Sequence, residues 1–390
     1  MSQMPIAPDR DSTSTFQRRT FLIRAAGTAV AASGAGALLA ACGSSGGDST
    51  GGSVGGNLTM LSWEGYRGKG VVDSWLGENH ISITENLLAS NEEVLTKLKA
   101  GGLGTVSLVT PNVAYIPQLV AAETLQPIDV ERIPNLKQLI PAIDSTARES
   151  AEIDGELYAI PYMWGFDGMV YNAAQIKSPP KSWKDVLEPQ YTGKVLMISG
   201  AFPNFEIWPR VLGFDPRTLT QDQLDQVTDF LIELKKNQVR IVTGDQSQMA
   251  ALLSGGDVLL TGSGCWVGLP SIAPEGGDEL AFTMPPEGGG TTWIDTWAIP
   301  KDAPNLDTVY AYLNKMMSAP VQTKQADTLG MATSNAVAAK QVSKENQERY
   351  DYADAQIGTE LAPLFRFPEE GKGYTTSEDW NDAWNRIQAA

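Results

Sequence analysis

From Leu58 onward, short apolar runs alternate with segments whose apolar residues recur every three or four positions. Leu58-Thr59-Met60-Leu61-Ser62 predicts a strand, Gly70 to Leu76 a helix, and Ile81 to Leu87 a second strand. Ser90-Asn91-Glu92-Glu93 has the form of a capping box, in which a hydroxyl and a carboxylate three residues apart satisfy the first helical turn. It predicts a helix with Val94, Leu95 and Leu98 on one face, stopped by Gly101-Gly102. Ser107 to Thr110 predicts a third strand and Tyr115 to Ala122 a third helix. Farther on, Lys194 to Ser199 reads as a strand, and Thr220 opens a long amphipathic helix through Leu231 and Leu234. Gln246 to Leu253 follows as a helix and Asp257 to Thr261 as a strand buried on both faces. Leu306 to Met317 is helical. Ser377 to Ile387 is a terminal helix that packs Trp380 and Trp384. Strand and helix alternating at this pitch predict parallel sheet with helical crossovers, arranged as two α/β lobes.

The N-terminal segment has a different pattern. Arg18-Arg19 precede a small-residue, modestly apolar stretch from Ala25 to Ala41, and Leu39-Ala40-Ala41-Cys42 closes it. Paired arginines before such a stretch form a twin-arginine export signal. The closing tetrapeptide resembles the lipobox of bacterial lipoproteins, which implies lipidation of Cys42. A spanning helix needs about 20 strongly apolar residues, and this stretch is rich in Gly, Ala and Ser. Residues 1–41 are expected to be removed as the signal. Residues 42–57, nearly all Gly, Ser and Thr, are expected to form a flexible tether. The protein is then held outside the membrane, in the periplasm or at the cell surface.

The chain carries a net charge of −17. Losing residues 1–41 removes Arg10, Arg18, Arg19 and Arg24 but only Asp9 and Asp11, which makes the remainder more acidic. Such a surface repels nucleic acid and anionic lipid headgroups. With Cys42 lipidated, Cys265 has no disulfide partner and reads as a small buried side chain. His80 is the one histidine and reads as a surface turn residue. One histidine and one spare thiol remove most metal sites and most Ser-His or Cys-His catalytic arrangements, and no cofactor is implied.

Candidate binding chemistry lies in two places. Ligands in open α/β sheets gather at the carboxyl ends of strands, and the first strand ends in Ser62-Trp63-Glu64-Gly65-Tyr66. Two ring faces and a carboxylate there suit a cation; equally, Trp63 and Tyr66 could pack the lobes together. In Thr292-Trp293-Ile294-Asp295-Thr296-Trp297, period-two alternation puts Trp293, Asp295 and Trp297 on one face. A carboxylate buried between indoles needs a partner, either an incoming ammonium group or a hydrogen bond from a neighbouring loop.

Together these segments resemble the spermidine/putrescine-binding family among the extracytoplasmic binding lipoproteins of ABC importers. The resemblance rests on Trp63–Tyr66 with Ser90-Asn91-Glu92 and Lys97-Leu98-Lys99, on Leu108-Val109-Thr110-Pro111, and on Ala159-Ile160-Pro161-Tyr162-Met163-Trp164-Gly165. Glu287-Gly288-Gly289 through Pro300 and Gly330-Met331-Ala332-Thr333-Ser334-Asn335 complete it. It implies a two-lobed periplasmic-binding-protein fold of type II, each lobe a mainly parallel sheet flanked by helices. Residues 58–164 and 296–341 would form lobe 1, and residues 165–295 and 342–390 lobe 2. It further implies capture of a polyamine or related small organic amine, delivery to a cognate ABC permease, action as a monomer, and no catalysis. Trp63, Glu64, Tyr66, Trp293, Asp295, Trp266 and Met331 would bind the ligand.

The chain departs from that family at several positions. Gly200 and Pro203 stand where the family has acids that hold the second amine, Met331 stands for a tyrosine, and Ala114 for an aromatic. Glu64, Asp167 and Glu206 are candidates for the missing charge. Two other functions stay open: an exported hydrolase using a carboxylate pair, and a ligand-sensing accessory to a signalling receptor.

Overall fold

β1 (Gly56–Ser62), β2 (Ile81–Leu87) and β3 (Leu108–Val109) build one end of a large sheet, with β1 central and parallel to both neighbours. Leu58, Met60 and Leu61 of β1 are buried, as its apolar run requires. The computed structural model describes residues 54–350, 352, 362–368 and 371–390. The export signal, the lipidation at Cys42 and the tether through residue 53 lie outside the described residues. The end of the expected tether belongs to the fold. Gly56 pairs with Ile81, and the backbone amide of Gly55 donates to the hydroxyl of Thr308. No helix among the described residues is long and apolar enough to cross a membrane.

β4 (Leu125–Gln126) and the hairpin of β5 (Glu152–Ile153) with β6 (Glu156–Leu157) lead into β7 (Ala159–Asn172). β8 (Val195–Ile198), β9 (Val239–Thr243) and β10 (Leu260–Thr261) build the other end, with β8 parallel to both β9 and β10. β11 (Cys265–Trp266) and β12 (Leu280–Thr283) pair with β7, as does β14 (Ala332–Thr333). β13 (Thr291–Pro300) runs antiparallel to β7. The strand order is β2-β1-β3-β13-β7-β10-β8-β9, so β7 and β13 join the two parallel ends. Every residue of β13 is buried, and Phe166 alone in β7 is half-buried. A ribbon covered on both faces reads as a continuous apolar run, and each large apolar side chain it buries stabilises the fold by about 1.5–3 kcal/mol.

Helices cover the sheet. Gln221–Asn237 begins at Thr220 with a complete capping box, and Leu224, Val227, Leu231 and Leu234 form its buried stripe. Ser377–Ala389 packs on it. Lys235 donates to the carbonyls of Ile387 and Gln388 at 3.0 and 2.7 Å, and Arg386 pairs with Asp225 at 2.7 Å. Trp380 and Trp384 are buried as expected, with Trp380 packed against Phe205, Phe365 and Phe367.

Three local expectations are corrected. The first helix runs Asp73–Glu78 rather than from Gly70, because Gly70 has φ +76° and donates its amide to Asp73. The capping box at Ser90–Glu93 does not form. Asn91 is the cap residue but has helical dihedrals, and its side chain instead accepts from the amide of Asn112. The strand expected over Asp257–Thr261 pairs only at Leu260–Thr261. His80 is exposed, at φ +52°, between helix and strand.

Candidate functional site

Trp63, Glu64, Tyr66, Trp266, Trp293, Asp295 and Met331 all line one cavity of about 160 Å³. They come from distant parts of the chain. The turn after β1 contributes the first three, β11 contributes Trp266, and β13 contributes Trp293 and Asp295. Met331 stands just before β14. The volume is below the roughly 300–1,000 Å³ of a drug-sized pocket, which makes the site a slot for a slender ligand.

Asp295 is buried and gripped from the protein side. The hydroxyl of Tyr66 donates to its Oδ2 at 2.6 Å, and Asn112 bridges to it across the backbone. Burial pushes its carboxyl up to about 7, and the hydrogen bonds from Tyr66 and Asn112 only partly oppose that rise. Tyr66 is itself fully buried, packed edge-on against Tyr162 with centroids 5.3 Å apart, and its oxygen lies 3.4 Å from the sulfur of Met331. Tyr66 therefore orients the carboxylate as well as packing the core. Trp63 is half-buried at the wall and Glu64 is exposed at the mouth. The buried indole N–H of Trp63 has no hydrogen-bond partner among the described residues.

The second acid is Asp167 of β7, which also lines the cavity. It is buried beside Glu206, and burial raises both carboxyls, with the neighbouring charge adding to the rise for Glu206. The indole of Trp293 approaches Asp167 and favours its charged form. Behind them, Arg210 is occupied by backbone and hydroxyl acceptors, including the carbonyl of Gly290 at 2.5 Å and the hydroxyl of Thr291 at 3.1 Å. Gly264 permits this arrangement, since a Cβ there would collide with the Glu206 carboxylate. Among the described residues no Lys or Arg forms a salt bridge with Asp167, Glu206 or Asp295.

Gly200 and Pro203 line the same cavity, with Phe202 between them, and carry no charge into it. Sequence reasoning did not single out Asn112, Phe202, Gln246 or Met249 as site residues, although they line the wall. An Asn before a 3-10 turn and a Met on a helix carry no signal of their own. Glu92 stands in the sequence as a helix-cap residue and within a segment that carries the family resemblance, but not as a site residue, yet it reaches the cavity and accepts from the hydroxyl of Tyr115 at 2.9 Å. Cys265 is a free, buried thiol in the wall, as its surroundings in sequence suggest. No cluster of potential metal ligands occurs among the described residues.

Comparison with known proteins gives the family and the fold. The family profile described as bacterial extracellular solute-binding protein matches residues 84–350. The spermidine/putrescine-binding periplasmic protein of Salmonella typhimurium is 28% identical over 303 residues, covering 77% of this chain and 84% of its own. The putrescine-binding periplasmic protein of Escherichia coli is 28% identical over 326 residues, covering 79% and 86%. Among solved structures, a putative spermidine/putrescine ABC transporter protein from Listeria monocytogenes superposes with a TM-score of 0.72 at 24% identity, covering 85% of this chain and 98% of its own. A lipoprotein of Treponema pallidum gives 0.69 at 19% identity, covering 85% and 99%. The two-lobed α/β fold is the one these structures share with the chain.

Proposed function

This chain belongs to the bacterial extracellular solute-binding proteins, and from that premise we propose that it captures a polyamine or related small organic amine and delivers it to the permease of an ABC importer. One observation carries the reading. A carboxylate is buried in the cavity that the Trp293 indole also lines and is held in place by Tyr66, and no Lys or Arg among the described residues forms a salt bridge with it. A cation over an indole gains about 0.5–2 kcal/mol, and each buried methylene about 0.8 kcal/mol, so an alkyl chain ending in an ammonium group satisfies both parts of the slot. The relatives are named as polyamine- and putrescine-binding proteins. The hydrolase and receptor-accessory alternatives find no support among them.

In this reading residues 58–164 with 296–341 and residues 165–295 with 342–390 are the two lobes. β7 and β13 are the hinge, and the protein works as a monomer without turning its ligand over. Residues 1–41 direct twin-arginine export, and Cys42 takes the lipid that anchors the protein outside the membrane. Labelled palmitate should enter the chain in a bacterial host and fail to enter Cys42→Ala; equal labelling would remove the anchor.

The ligand class is tested by thermal denaturation and calorimetry of the full chain with putrescine, spermidine, amino acids and sugars. A diamine or triamine at a hundred times its Kd should stabilise the fold by about 2.7 kcal/mol. A sugar or an anion binding in preference to every amine would overturn the reading.

A further inference from the structure

We propose that Asp167, carried on the strand that joins the two lobes, is the second ammonium anchor of the cleft, and that its spacing from Asp295 selects a short α,ω-diamine laid along Trp293. The proposal rests on the polyamine reading and specifies which members of that class the site takes.

The register of β7 on β13 carries it. Asp295 is opposite Met163, Trp293 opposite Gly165, and Thr291 opposite Asp167. Residues directly opposite in an antiparallel pair point to the same face, as do alternate residues along a strand. Asp295, Trp293 and Asp167 therefore share one face, with the indole between the two carboxylates, and all three line the cavity. Gly165 is what lets the indole lie there, because a Cβ at that position would come within 2.6 Å of the Trp293 ring. The only register shift recorded in this pairing falls beyond Asp295, between it and Thr296, so the four-residue offset from Asp295 to Asp167 is uninterrupted.

That offset sets a length. Four residues of strand span about 13–14 Å, and the step across to the neighbouring strand adds little to the Cα separation. Each hydrogen bond from a carboxylate to an ammonium takes up about 2.8 Å of that span. The room left between ammonium nitrogens is at most about 8 Å. With C–C bonds of about 1.5 Å in extended zigzag, a four- or five-carbon diamine places its nitrogens about 6–8 Å apart, and the termini of a triamine such as spermidine lie beyond 10 Å.

The charges agree. Among the described residues no Lys or Arg forms a salt bridge with Asp167, and Arg210 approaches Glu206 rather than Asp167. Glu206 and Asp167 are buried side by side and hydrogen-bonded to each other, so the two do not both ionise readily. The pair offers one negative charge at this end of the slot, and Asp295 offers one at the other. Gly200 and Pro203, which line the same wall, offer none.

Calorimetric titration of the full chain with 1,3-diaminopropane, putrescine, cadaverine, 1,6-hexanediamine, spermidine and butylamine tests the assignment. Affinity should peak at four or five carbons. In Asp167→Asn the preference for putrescine over butylamine should fall about 30-fold, the worth of one charge-assisted bond. Asp167→Glu should move the optimum toward the shorter diamine, which keeps the test informative if the Asn variant folds poorly. Diamines that bind Asp167→Asn as tightly as the parent would overturn this proposal while leaving the polyamine reading in place. A peak at spermidine would do the same. No binding by any amine would remove both.

Discussion

Asp295 shows how one buried carboxyl links ligand, proton and stability. Its value of about 7 lies above the ordinary carboxylate value of about 3.9, so the folded, empty protein favours the protonated form. That contribution to stability is complete below about pH 4 and is lost as the pH rises through 7. A cationic ligand reverses the preference, since it pairs only with the ionised form. Binding should therefore release protons, and affinity for a diamine should rise between pH 5 and pH 8, where the amines themselves stay charged. Calorimetry in buffers of different ionisation enthalpy measures the release directly. Asp295→Asn should remove its own share of that pH dependence, leaving the share of Asp167, whose buried carboxyl is also pushed up to about 7, and should weaken binding by about 1.5–3 kcal/mol. An unchanged pH profile in the variant would take Asp295 out of the site.

At the scale of elements, the ribbon of β7 and β13 does two jobs: it joins the parallel ends of the sheet and displays the site. Gly165 is the point where the two meet. Its φ needs no glycine, so Gly165→Ala is a steric test alone: the added methyl must displace the Trp293 indole. We expect a loss of about 1–3 kcal/mol in urea denaturation at unchanged m-value, together with weaker ligand binding. Affinity and stability both within error of the parent would show that the indole is free to move. The pairing of Trp293 with Asp295 on one face was legible in the sequence because period two needs no tertiary information, whereas Trp297, beyond the register shift, packs in the core against Tyr162 and Tyr312 instead of lining the cavity. The partnership of Trp293 with Gly165 and Asp167 was not legible, because strand register depends on the whole sheet. The cap at Ser90–Glu93 shows the same limit. Asn91 and Glu92 have the right chemistry for a helix start, but Asn112 and Tyr115 take their side chains.

At the scale of the molecule, the chain carries a net charge of −17, and among the described residues no Lys or Arg forms a salt bridge with the acids of the slot. Such a field draws in dications and is screened within about 10 Å at 0.1 M salt. Because Trp63, Trp266 and Trp293 line the cleft, stopped-flow tryptophan fluorescence should report ligand entry. The association rate for putrescine should fall steeply between 10 and 300 mM salt, by about tenfold or more, with a smaller change in the dissociation rate. A rate flat across that range would mean that the overall charge serves solubility and does not steer the ligand.

Local pattern alone determined that strands and helices alternate and where most of them lie, and it singled out the aromatic and acidic segments as candidates; the expectation of a binding protein came from the family resemblance. The local readings follow from side-chain periodicity and turn chemistry, which act over a few residues. Tertiary structure decided that Tyr66 serves Asp295, that Gly56 begins a strand instead of ending a tether, and that Asp167 shares a face and a cavity with Asp295. Each of those depends on a pairing between residues far apart in the chain, whose energy exists only once the sheet has closed around them.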